Sequence, residues 1–101
     1  MSFTAISKNG VIIRLPEERW KHIIARHSTL ADQQSLVLAT ITEPEIILDG
    51  NEGALMAIRT LETGRVLVVI YKEISNNDGF VITAFPIRRL NSLTRRIQLW
   101  P

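Results

Sequence analysis

The chain has no cysteine, which removes disulfides, thiolate nucleophiles and cysteine-ligated zinc from consideration. Aromatic residues are few: three Phe, two Trp and one Tyr. No apolar run approaches the roughly 20 residues that span a bilayer, and Met1–Gly10 lacks the basic and apolar regions of a secretory signal. A cytoplasmic location with no membrane contact is therefore expected. There is no repeat, low-complexity stretch or linker. A Walker loop, a dinucleotide fingerprint, an HExxH zinc motif and a nucleophile elbow are all missing. The two histidines, His22 and His27, are five residues apart. On a helix that spacing splays them by about 140°, so they do not form a shared metal site, and no cofactor is expected.

What is present suits one globular domain over residues 1–101. Hydrophobic residues make up 46% and charged residues 22%, enough apolar content for a core at this size. The net charge of +2 is built from nine arginines and three lysines against ten acids. Arginine presents the planar fork that matches phosphate. Acids gather in 16–19, 43–52 and at Glu62, whereas Arg88, Arg89, Arg95 and Arg96 crowd the C-terminal end. That asymmetry favours a phosphate-bearing partner, and on an RNA partner Arg19, Arg88 and Arg89 are the expected contacts. On charge alone, a solvated surface or a dock for an acidic protein accounts for the pattern slightly better.

The pattern predicts an α+β domain. Val11–Leu15 reads as a short edge strand. Pro16 fits a first helical position, with Glu17 and Glu18 where a helix start favours negative charge. Trp20, Ile23, Ile24 and His27 repeat at helical spacing, so a first helix spans about 16–27. Ser28 and Thr29 are cap-type residues, and a second helix is expected to run to about Thr42, burying Leu30, Val37, Leu38 and Ile41. Pro44 ends it. Strands follow at 45–48, 54–61, 66–71 and 80–85, separated by the turn signals Asp49-Gly50-Asn51, Thr63-Gly64 and Asn76-Asn77-Asp78-Gly79. The expectation is N-terminal helices packed on an antiparallel sheet of four strands or slightly more, with Val66–Tyr71 at its centre. Residues 87–101 fit either a short helix from about Asn91 or an extended arm.

The first helix carries the candidate chemistry. Arg19, His22 and Arg26 form one ridge beside the apolar stripe. An imidazole between two guanidiniums is a candidate general base, and the arginines are candidate phosphate ligands. His27 lies on the stripe itself, where the plain reading is a half-buried histidine closing the helix end. If the hairpin turns alone set register, Arg59 and Thr83 both lie opposite Val68, and Lys72 shares their face. Surface charge and β-propensity explain each of the three singly; their grouping makes them candidates. Together these groups suit metal-free cleavage of RNA. A base takes the 2′-hydroxyl proton, that oxygen attacks its own phosphate, and cations and a hydroxyl steady the charge.

The order of these features resembles a known family. A helix with "RWKHIIARH", a second helix closed by a proline turn, and the strands "GRVLVVIYK" and "GFVITAF" are similar to the barnase, EndoU, colicin and RelE-like nucleases, especially their phage-associated branch. The resemblance covers about Leu15–Phe85. It implies helices on a four-stranded antiparallel sheet and metal-independent RNA cleavage. It matches His22 and His27 to the helix histidines, Arg59 or Lys72 to the sheet's basic residue, and Thr83 to the hydroxyl near the end of the last core strand. Ser28 stands where proline is common after the second histidine, and no glutamate base can be assigned. The implied function is a metal-independent endoribonuclease, as in the toxin of a toxin–antitoxin pair, with an acidic antitoxin or immunity protein as second partner. The alternative is a non-catalytic RNA- or protein-binding module on the same scaffold.

Overall fold

The computed structural model describes residues 2–88 and 95–101. The elements run β1 (Ser2–Ile6), β2 (Ile12–Pro16), α1 (Glu17–Arg26), a 3-10 turn (Ser28–Leu30), α2 (Gln34–Thr42), β3 (Ile46–Asp49), β4 (Ala54–Glu62), β5 (Arg65–Ser75), β6 (Asp78–Arg88) and β7 (Gln98–Trp100). They form one sheet in the order β1-β2-β6-β5-β4-β3-β7, so β5 is central, as its apolar run predicts.

The α+β class holds, but the sheet departs from the expectation in two ways. It has seven strands among the described residues, and it is mixed: β2 runs parallel to β6 through Ile13↔Gly79 and Arg14↔Phe80. Two helices and three strands separate these two in sequence, and a connection that long allows parallel pairing where a hairpin does not. The Val11–Leu15 strand is not an edge, because β1 pairs with it along all five residues. Of the stretch expected as a helix or an arm, Ile87 and Arg88 continue β6 and residues 98–100 are extended and pair with β3, while the helix start expected at Asn91 lies outside the described residues.

Pro16 sits extended at the start of α1 (φ −61°, ψ 148°), with Glu17 and Glu18 in the first turn. Trp20 and Ile23 are buried, while Ile24 is only half-buried, so the stripe is centred closer to Ile23 than expected. The His27 N–H closes the helix on the Ile23 carbonyl at 2.9 Å. The second helix starts later than its cap-type residues suggest. Ser28–Leu30 forms the 3-10 turn, and α2 begins at Gln34 without a side-chain cap. The turn still buries Leu30, and α2 buries Val37, Thr40 and Ile41. Thr40 is tolerated there because its hydroxyl donates to the Leu36 carbonyl at 2.7 Å.

The sheet has a core on each face. Trp20, Ile23, Val37 and Ile41 of the helices pack with Ile13, Leu15, Ala57, Leu67, Val69, Tyr71 and Ala84. Leu48, Met56, Ile58, Val66 and Val68 make a second cluster on the opposite face. The sheet coils so that Lys8, between β1 and β2, reaches both Glu43 (3.5 Å) and the Trp100 ring on the far edge (4.9 Å to its centroid). Gly79 permits the β2–β6 junction: a Cβ there would meet the Lys72 carbonyl oxygen at 2.5 Å and Ile13 Cδ1 at 2.6 Å. Pro86 does not stop β6 as expected. It pairs with Leu67 on a stretch where β2 no longer flanks the strand, and a missing N–H is tolerated beside an open edge.

Tyr71, the one tyrosine, is buried in the helix-side core. Burial first, and the charge of Glu73 second, push its phenol well above the ordinary value. The neutral phenol is the form the fold favours. Its contribution to stability is whole below about pH 10 and is lost as pH rises toward the folded value. In an alkaline titration followed by phenolate absorbance and circular dichroism, the phenolate signal should appear only with loss of the fold. Ionisation near pH 10 in a still-folded chain would contradict this burial.

Candidate active site

The sheet registers decide which candidates meet. The Thr63-Gly64 turn does join Glu62 to Arg65, but a bulge between Thr60 and Glu62 shifts the pairing by one residue. Arg59 therefore lies opposite Leu67, not Val68. Directly paired residues share a face, so Arg59 sits on the helix side. In the second hairpin Ser75 pairs with Asp78, and two irregularities place Lys72 opposite Phe80 and Thr83 opposite Ile70. Lys72 and Thr83 remain together on the face away from the helices. The expected grouping of Arg59 with Thr83 and Lys72 is thus broken, because each bulge inserts an unpaired residue that the turn signals do not reveal.

The helix candidates also separate. Arg19, His22 and Arg26 are all exposed on the outer side of α1. Arg19 and His22 line a shallow hollow with Pro16 and Glu18, and none of Arg59, Lys72 and Thr83 takes part in it. Glu18 lies one turn before His22 and brings a carboxylate into a ridge read as cationic. His27 behaves differently. Its ring lies 6.1 Å from that of Phe85, tilted by 41°. Phe85 pairs with Val68 and belongs with the second-face cluster. The end of α1 thus brings His27, not His22, against that face of β6.

Three successive rows result. Phe85 carries His27; Thr83 follows opposite Ile70; Phe80 follows opposite Lys72. Rows on one face of a strand are roughly 7 Å apart, so Thr83 stands about one row from the His27 position and one from Lys72. Thr83, Phe80, Phe85, Ile70 and Lys72 are all half-buried, accessible yet held by the sheet. The Lys72 stem rests beside Gly53, and its ammonium has no acidic partner among the described residues. Across the Phe80 row, Arg14 of β2 is fixed by two bonds to Asp78, Nε–Oδ1 at 2.7 Å and Nη2–Oδ2 at 3.2 Å. Those bonds raise the Arg14 guanidinium and hold the Asp78 carboxyl below its usual range, so the pair stays charged.

The C-terminal arginines divide as well. Arg88 is exposed and pairs directly with Arg65 at the end of β6. Arg96 donates to the Asp49 carbonyl at 3.1 Å, a structural contact. Arg89 lies outside the described residues. A second polar cluster is fully engaged in structure: the Ser7 hydroxyl and the Asn9 amide donate to Glu73 at 2.5 and 2.9 Å, tying the β1–β2 turn to β5. Sequence reasoning missed Phe80, Phe85 and Arg14. The lone arginine inside "VIIRL" was the available signal for the last.

Among the described residues no three His, Asp or Glu side chains converge to hold a metal ion, and no helix is long and apolar enough to cross a membrane. Comparison of the chain with protein-family models, with curated proteins and with solved structures returned no match.

Proposed function

We propose that this chain is a metal-independent endoribonuclease of the barnase, EndoU, colicin and RelE-like kind, acting at the β6 strip. The observation that carries the reading is the seating of His27 on Phe85, next in line to Thr83 and Lys72 on one accessible face. A phosphodiester laid over Thr83 has an imidazole on one side and an ammonium on the other. His27 takes the proton of the 2′-hydroxyl, and the freed oxygen attacks the adjacent phosphorus. The Thr83 hydroxyl donates to a non-bridging oxygen, while Lys72 stabilises the charge that grows there. The bond to the 5′-oxygen breaks, that oxygen collects a proton from water, and a 2′,3′-cyclic phosphate is left. The exposed arginines Arg19, Arg26 and Arg88 serve the RNA backbone in this reading, and an acidic antitoxin is the matching protein partner.

The test is direct. Purified protein incubated with total RNA in excess chelator should yield fragments ending in cyclic phosphate. A requirement for added magnesium would refute the mechanism even if RNA is cut. RNA binding without cleavage under any condition would replace it with the binding-module reading.

A further inference from the structure

Phe80 is half-buried and, like Ile82 and Trp100, belongs to neither core cluster; unlike them it has a basic residue on each side in its row. Its two neighbours across the sheet are Arg14 on β2 and Lys72 on β5. Paired residues share a face, so Phe80 stands in one row between Arg14 and Lys72, whose side-chain end leans toward Gly53 on the β4 side. Packing alone does not call for a phenyl ring at a site that contributes to no core. A ring with cations on both sides is the arrangement that takes an unstacked base on its face and the flanking phosphates at its edges. Arg14 is suited to the steadier of the two contacts, since Asp78 holds it in place. Lys72, with no acidic partner among the described residues, can swing toward whichever phosphate lies over Thr83.

We propose that Phe80 is a base-stacking platform, flanked by Arg14 and Lys72, that selects single-stranded RNA and holds the nucleotide next to the scissile phosphate. This rests on the ribonuclease reading for its substrate class, but it makes a claim about binding that cleavage does not. A duplex keeps its bases stacked inside and offers none to the ring, so the site should favour single strands over duplex.

A 2′-O-methyl RNA oligonucleotide cannot be cut by 2′-oxygen attack, so it reports binding alone. Its affinity for the folded protein, read by fluorescence anisotropy, should fall roughly 5- to 150-fold in Phe80→Ala, the range for losing one base–aromatic stack. Phe80→Leu keeps apolar bulk and should show nearly the same loss with an unchanged melting curve. Phe80→Trp should restore binding. Unchanged binding in Phe80→Leu would overturn the platform, as would equal affinity for duplex and single strand. It would then leave the strip, beside the exposed Ile6 and Ile12, as a protein-docking face. Should the protein bind the oligonucleotide through Phe80 and yet cut no natural RNA, the platform stands and the catalytic reading falls.

Discussion

His27→Ala is expected to lower RNA cleavage by roughly 10²- to 10⁴-fold, the usual worth of a positioned general base, while His22→Ala leaves most of the activity. The contrast follows from where the two rings lie. His27 is half-buried and rests 6.1 Å from Phe85 on the face that carries Thr83 and Lys72. His22 is exposed in a hollow with Arg19 and Glu18, away from every sheet candidate. Cleavage rates for both variants and the parent, on one RNA at several pH values, separate the two roles. Circular dichroism guards against the trivial outcome, since the His27 ring also packs on Phe85. His27→Asn, which keeps a planar polar group there without a base, should be folded and inactive. If instead His22→Ala abolishes cleavage and His27→Ala retains it, the ridge carries the chemistry and the sheet strip does not.

The contrast also marks how far the sequence can be read. The stripe of Trp20, Ile23 and Ile24 gives α1 and its buried side, since helical spacing fixes faces within one element. The run "VLVVIY" gives a central strand, because only burial on both faces favours so many apolar residues in succession. Which histidine meets the sheet is a different matter. That depends on how the end of α1 is seated beside β6, a tertiary fact with no local pattern. The face of Arg59 depends on one extra residue at the Thr60–Glu62 bulge, and a shift of one exchanges the two faces of a strand. The parallel β2–β6 contact joins segments more than sixty residues apart, so no turn announces it. The close approach it needs is written only in Gly79, which reads from sequence as an ordinary turn residue.

Trp20→Ala is expected to cost about 3–5 kcal/mol of folding stability, as truncation of a buried large aromatic does. A domain of this size has only about 5–15 kcal/mol in hand, so this one change should consume roughly a fifth of it or more. The melting temperature should fall by at least roughly 12 °C. The reason lies in the shortness of α1. It has ten residues, too few to be stable alone in water, so it persists only through the face it buries. Trp20 and Ile23 are the helix's two buried residues. Trp20→Phe, which keeps most of the apolar area, should lose far less, and Ile24→Ala less than Ile23→Ala because Ile24 is half-buried. Urea unfolding followed by circular dichroism measures all four. A loss below half a kilocalorie for Trp20→Ala would mean that the indole does not anchor α1. The seat of His27 on Phe85 depends on that anchor, so RNA cleavage at temperatures well below melting should weaken along this series in the same order as stability.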